Sequence, residues 1–217
     1  MNLFIYGSGG NGCELSDIAK LINQQDKRWG RVAFVDDIRN ERIWYKQEVL
    51  RFENMLLEKE EYECIISLGE PAHRKTLYEK LLAHKIPLAT LIHPDTNISP
   101  SASIGKGCIV GARSFVSSNT EIRDNVMIEV QTAIGHDIFI DQHTVISSCS
   151  VIGANTLIGS ETFIGLNCSI KENTKIGNRN IIGMGSCVFK DVDDGFIILG
   201  NPARPVKKNE SFLVFKN

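Results

Sequence analysis

From Ile92 to Val188 a β-branched aliphatic residue stands at every sixth position without a slip, through Ile98, Ile104, Val110, Val116, Ile122, Ile128, Ile134, Ile140, Ile146, Ile152, Ile158, Ile164, Ile170, Ile176 and Ile182. The residue after the anchor is Gly at 105, 111, 135, 153, 159, 165, 177 and 183, and the fourth after it is Thr, Ser, Cys, Ala or Val except at Ile138 and Asn180. Six residues cannot bury their own apolar side, so successive units have to stack into a solenoid whose interior is a column of anchors. The spacing predicts a parallel β-helix in which each hexad is one short strand and a corner, with the anchor inward. Three hexads per turn set residues eighteen apart above one another, and seventeen hexads at strand spacing make just under six turns, a prism about 27 Å long.

Ahead of the array the periodicity changes. Leu3-Phe4-Ile5-Tyr6 runs into Gly7-Ser8-Gly9-Gly10-Asn11-Gly12, and Leu15, Ile18, Ala19, Leu21 and Ile22 follow at helical spacing within residues 13–24, predicting strand, glycine turn and helix. A second strand, 31–35, ends at Asp36-Asp37; a third, 61–68, ends at Gly69-Glu70. Pro71 opens a helix to about residue 84, and 87–91 reads as the last strand of a small doubly wound domain. The fold class expected is therefore an α/β Rossmann-like domain, 1–91, followed by a parallel β-helix, 92–206, and a C-terminal tail, 207–217. Ligands of such sheets bind beyond the carboxyl ends of the strands, which places Gly9, Gly10, Asp36, Asp37, Gly69 and Glu70 around one crevice. The glycine turn brings backbone N–H groups at a helix N-terminus within reach of a phosphate, and an acidic residue after the second strand stands where it can bond a ribose or a base.

Composition narrows the classes. With 217 residues, 42% hydrophobic, the chain has room for two modest cores. A net charge of −2 and a pI near 6.2 argue against a nucleic-acid binder. The N-terminal apolar run has no basic region before it and no stretch approaches membrane-spanning length, so the expectation is a cytoplasmic protein without a membrane partner. Cys13, Cys64, Cys108, Cys149, Cys168 and Cys187 show no CxxC spacing and read as reduced core residues.

Of five histidines, His73 and His84 fall on the helix after Pro71 and His93 at the domain junction, where solvated or structural roles are expected. His136 differs: it stands two after anchor Ile134, outward, between Gly135 and Asp137. Acyl transfer to an amine or hydroxyl needs a base for the acceptor's proton, imidazole titrates in the right range, and an adjacent carboxylate can orient it.

Taken together, Tyr6-Gly7-Ser8-Gly9-Gly10, Phe34-Val35-Asp36-Asp37, Leu68-Gly69-Glu70-Pro71 with Arg74, Gly135-His136-Asp137 and Gly200-Asn201-Pro202-Ala203 resemble the PglD/NeuD-like sugar acyltransferases of bacterial surface-glycan synthesis, hexapeptide-repeat enzymes built on a left-handed β-helix. The resemblance implies a homotrimer with acetyl-CoA, as co-substrate, in the groove between prisms, and no metal. It puts the general base at His136 and its orienting acid at Asp137, where relatives usually have Glu. It also implies that Gly9, Gly10, Asn11, Asp36, Asp37, Gly69 and Glu70 bind a sugar or nucleotide sugar; Asn11 stands where many N-acetylating relatives have His. Ala154, eighteen after His136, is the expected oxyanion donor through its backbone N–H. His143, three after Ile140, could touch substrate; a corner residue is the favoured reading, since relatives with a second His carry it where this chain has Val145.

No Lys or Arg occurs between Arg123 and Lys171, whereas Lys171, Lys175, Arg179, Lys190, Arg204, Lys207 and Lys208 crowd the last coils, so the phosphates of the coenzyme are expected at that end. Its binding residues are then Ala154, Gly165, Gly183, Gly185, Ser186, Lys190 and Arg204, the glycines leaving room for the pantetheine arm. The function expected is N-acetylation of a UDP- or dTDP-linked 4-amino-4,6-dideoxy sugar. The alternatives are O-acetylation of a sialic-acid-type sugar and, outside enzymes, a β-helix scaffold. A zinc hydratase on a similar prism needs three histidines across an interface, and only His136 and His143 lie well inside the repeats.

Overall fold

A computed structural model describes residues 1–215. Its first part comprises β1 (Asn2–Tyr6), α1 (Gly10–Asp26), β2 (Arg31–Val35), β3 (Ile43–Trp44), β4 (Gln47–Leu50), α2 (Phe52–Met55), β5 (Tyr62–Ile66) and α3 (Pro71–Ala83). The sheet runs β3-β4-β2-β1-β5, parallel except for the β3–β4 hairpin, with β1 buried along its whole length between β2 and β5. α1 begins at Gly10, three residues before the apolar spacing indicates, and its first turn packs on the residue after β1: a Cβ on Gly12 would stand 2.2 Å from the Gly7 carbonyl oxygen. The stretch 87–91 is no strand of this sheet. Pro87 has no N–H to give, only Leu88 bridges to Cys64, and Leu91 already belongs to the next domain.

From β6 (Leu91–Ile92) to β22 (Cys187–Val188) every hexad is one two-residue strand ending on its anchor. Strands pair in parallel eighteen residues apart, Ile122 on Ile140 on Ile158 for example, and form the three faces of a prism. The anchors make one continuous interior column. The small residue four after each anchor has a bonding role as well: Ser114, Thr120, Thr144, Ser150 and Thr162 donate their hydroxyls to the carbonyl fifteen residues on, at 2.8–2.9 Å. Cys108 and Cys168 do the same with their thiols, at 3.1 and 3.2 Å. The third residue after each anchor turns the corner in the left-handed region from Gly107 to Gly185, which is why Asn recurs there at 119, 125, 155, 167 and 173. Of the cysteines, Cys64, Cys108 and Cys168 are buried as expected of core residues, but Cys149 is exposed at a corner and Cys13 and Cys187 are half-covered.

The prism is closed at its far end by β23 (Phe196–Gly200) and β24 (Ala203–Lys208), an antiparallel hairpin whose first strand continues the β21 (Ile181–Ile182) face. β24 takes in the first two residues of the stretch read as a tail; the last two, 216 and 217, lie outside the described residues.

One prism face is covered. On it the outward residue before each anchor is apolar at an eighteen-residue interval, Leu91, Ile109, Met127 and Val145, and Leu15, Ile18, Ala19 and Ile22 of α1 pack there. Each such side chain contributes roughly 1.5–3 kcal/mol when withdrawn from water. A polar lock adds direction: the fully buried Arg74 of α3 donates to the carbonyls of Ile66 and Leu68 in its own domain and to the Asn125 backbone and side-chain oxygens in the prism.

Candidate active site

His136 follows β13 (Ala133–Ile134) at a prism corner. Gly135 gives the corner its tightness, since a Cβ there would lie 2.9 Å from the Ala154 nitrogen of the next coil. The left-handed backbone of Asp137 (φ 56°) turns its carboxylate back onto the imidazole, and His136 Nδ1 lies 2.6 Å from Asp137 Oδ2. The shorter acid therefore reaches its partner. Asn119, one coil below, donates to the other carboxylate oxygen at 3.2 Å. The bond to His136 first, and that to Asn119 second, hold the Asp137 carboxyl below its ordinary value. In the neutral ring, an Nδ1–H that donates to the carboxylate leaves the lone pair on Nε2, and the side chain is 54% exposed. The coils are tied here by Asn155 donating to the His136 carbonyl, which leaves the Ala154 N–H between them.

His143 has a different environment. It is buried at another corner, its Nδ1 2.9 Å from Asn125 Nδ2 and its ring edge-on to Tyr78, and burial pushes its pKa down to about 4. It belongs to the domain junction.

Around the N-terminal domain the expected single crevice is divided. Gly69 and Glu70, Asn11 at the start of α1, and Leu68 and His73 border a cavity of about 430 Å³ with Glu129, Ser147 and Phe163 of the prism and Phe215 of the chain's end. Asp36 and Asp37 do not share it. Burial works against the Asp36 carboxylate, but Ser8 Oγ and the backbone N–H groups of Arg39, Ile38 and Ser8 outweigh it and keep its carboxyl below the usual range. Those four bonds occupy both of its oxygens, so it ties the glycine turn to the loop after β2. Asp37 is likewise held by the Tyr6 hydroxyl, Lys80 and the Phe52 N–H. Gly9 and Gly10 are exposed, and a Cβ on either would meet nothing within 4 Å. His73, expected on a plain surface, lines the cavity. Glu129, Ser147 and Phe163 went unnoticed in the sequence; following the eighteen-residue interval along the apolar outward positions 127, 145 and 163 would have pointed to the face they flank.

The residues expected to hold the coenzyme fall on two corners of one prism, Ala154 and Lys190 on that of His136, Gly165, Gly183 and Gly185 on the one before it. They do not all leave room. Gly165 is packed on the Met184 nitrogen, the place of a Gly183 side chain is filled by Leu199, and Ser186 is buried with its Oγ accepting from the Gly200 N–H. Gly185, with φ +70° and open space beyond, does leave room, and Lys190 and Arg204 are exposed.

Residues 2–81 match the PglD N-terminal domain, and residues 101–130 and 155–190 match the hexapeptide repeat of succinyl-transferase. The chain joins a PglD N-terminal domain to hexapeptide repeats and is an acyltransferase. The acetyltransferase domain of PglB from Neisseria gonorrhoeae FA1090, solved in complex with acetyl coenzyme A, is similar to it at 29% identity and a TM-score of 0.88 over 94% of this chain and 98% of that one. Two further structures share the fold: PerB from Caulobacter crescentus with CoA and GDP-perosamine (22%, TM-score 0.87, 95% of this chain and 98% of that one) and WeeI from Acinetobacter baumannii AYE (23%, 0.87, 95% and 100%). In this acyltransferase, among the described residues, no helix is long and apolar enough to cross a membrane.

Proposed function

We propose that this acyltransferase moves the acetyl group of acetyl-CoA to the 4-amino group of a UDP- or dTDP-linked 4-amino-4,6-dideoxy sugar. The observation that carries the chemistry is the 2.6 Å His136–Asp137 pair with its free Nε2 facing outward. Nε2 takes the proton of the amine as nitrogen attacks the thioester carbonyl; Asp137 stabilises the resulting imidazolium; the Ala154 N–H meets the oxyanion; collapse expels the thiolate of coenzyme A. An amine is favoured over a sialic-acid-type hydroxyl because, among the described residues, the cavity beside Gly69 is bordered by Glu70 and Glu129 and by no Lys or Arg, an unfavourable setting for a sugar that carries its own carboxylate. Its nucleotide would lie towards the exposed Gly9-Gly10 turn, where the N-terminus of α1 favours a phosphate.

A homotrimer accounts for the two-corner distribution of coenzyme residues: the His136 corner of one copy facing the Gly185 corner of the next makes one groove. The face between those corners supports this, since Phe115 and Val151 stand on it 45% and 50% exposed and Phe189 and Met184 flank it, a large apolar area to leave in water. Free-thiol release, measured with acetyl-CoA and UDP- or dTDP-linked 4-amino sugars against free and CMP-linked sialic acid, tests the reading. Release with the amino sugars, lost in His136→Ala, is expected; release with sialic acid alone would reject N-acetylation.

A further inference from the structure

Beyond β24, residues 209–215 do not leave the molecule. Asn209 donates its N–H to the Gly195 carbonyl and its side-chain amide to that of Arg179, and Phe212 lies under the Arg179 guanidinium at 5.0 Å. The segment thus runs back along the prism, from its closed end towards the N-terminal domain. At its foot the N–H groups of Val214 and Phe215 both donate, at 2.9 Å, to Glu70 Oε2. The Phe215 ring stands edge-on to Phe163 with centroids 5.6 Å apart, and its Cε2 is 3.9 Å from where a Gly69 Cβ would be.

Glu70 is only 5% exposed, and among the described residues its Oε1 has no hydrogen-bond partner. A buried carboxylate so placed relies on the two amides of this strap for its compensation, and the strap relies on the carboxylate for its position. Glu70 is thereby a latch. The strap does not plug the cavity: about 430 Å³ remain beneath it, the size of a small-ligand site, with Phe215 as one wall and Phe163, Leu68 and His73 as others. We infer that residues 210–215 form a wall of the acceptor site, that Phe215 is a specificity-determining residue packing on the acceptor, and that Glu70 acts by latching the strap and not by touching the sugar. This rests on reading the cavity as the acceptor site.

Two measurements test it. Hydrogen exchange on the ligand-free chain should show the Val214 and Phe215 amides protected in the wild type and in Glu70→Gln, which keeps an oxygen acceptor, and exchanging at least about tenfold faster in Glu70→Ala. Kinetics with the UDP- or dTDP-linked 4-amino sugar turned over in the thiol assay should show the acceptor KM raised about tenfold in Phe215→Ala and in a chain ending at Asn209, with kcat and the acetyl-CoA KM within about twofold. Glu70→Ala should match that rise in the full chain and add nothing in the shortened one, the mark of a shared effect. Unprotected amides in the wild type, an unchanged acceptor KM on shortening, or a further rise from Glu70→Ala in the shortened chain would each overturn the inference. Failure to turn over any amino sugar would instead reject the acceptor reading, and the exchange measurement, which needs no sugar, tells the two failures apart.

Discussion

The imidazole of His136 lies on the outside of a solenoid, on a corner whose backbone is fixed by bonds to the coils above and below it. Removing it takes away the proposed base without opening a cavity. His136→Ala should lower kcat by about 10²–10⁴-fold while the melting temperature and the acetyl-CoA affinity stay almost unchanged, measured by steady-state kinetics and thermal unfolding. A variant within about threefold of wild type across pH 6–9 would show that the acceptor loses its proton elsewhere. Asp137→Asn keeps an oxygen for Nδ1–H but loses the charge that steadies the imidazolium, so kcat should fall with KM intact. His143 gives the contrasting result. Its folded pKa of about 4 lies below the ordinary 6.5, chiefly through burial beside Arg74 and Lys75 and against the opposing pull of Glu161 and Asp141. Between those two values the unfolded chain takes up a proton that the folded one refuses, so stability is lost as pH falls from 6.5 towards 4. His143→Gln should flatten that fall in melting temperature and leave activity near wild type; an identical pH profile in both proteins would refute the assignment.

Among the elements, the corner before β14 (Phe139–Ile140) leaves no room for a side chain at Gly135. A Cβ on Gly135 would stand 2.9 Å from the Ala154 nitrogen and 3.0 Å from the Ile152 oxygen, both backbone atoms, so Gly135→Ala must spread two coils at the place where the proposed base and oxyanion donor meet. The expected outcome is a loss of kcat larger than the loss of stability, about tenfold or more for the displacement of a preorganised donor. The covered face works on another scale. Its residues alternate between anchors pointing in and Leu91, Ile109, Met127 and Val145 pointing out, so the same strands serve two cores. Arg74 then fixes how the loop at Gly69-Glu70 is held over the prism, since its guanidinium bonds both sides of the junction.

At the level of the whole molecule, one chain presents the proposed base on one corner and the room proposed for the coenzyme on another. Light scattering should report a particle of about 72 kDa, three times the 24.1 kDa chain. Val151→Asp, on the exposed apolar face between the two corners, should yield a folded monomer whose activity is nearly abolished, because a charge buried against the next copy is strongly disfavoured. An active monomer would place the whole site within one chain.

The β-helix was determined by the sequence alone, because a six-residue period admits one way of stacking: the anchors, the hydroxyl four residues later and the corner asparagines are all local consequences of that repeat. His136 was legible for the same reason, its outward direction being fixed by its distance from Ile134. The doubly wound domain was legible in its strands and glycine turn, but not in its β3–β4 hairpin or in the fate of residues 87–91, where pairing partners far along the chain decide. Only the tertiary structure determined what engages each acidic residue. Asp36, Asp37 and Glu70 look alike in sequence, each just after a strand; the first two are occupied by neighbours in their own domain, and Glu70 by amides 144 and 145 residues away. No periodicity carries information over that distance, since such contacts depend on how one domain settles on the face of another.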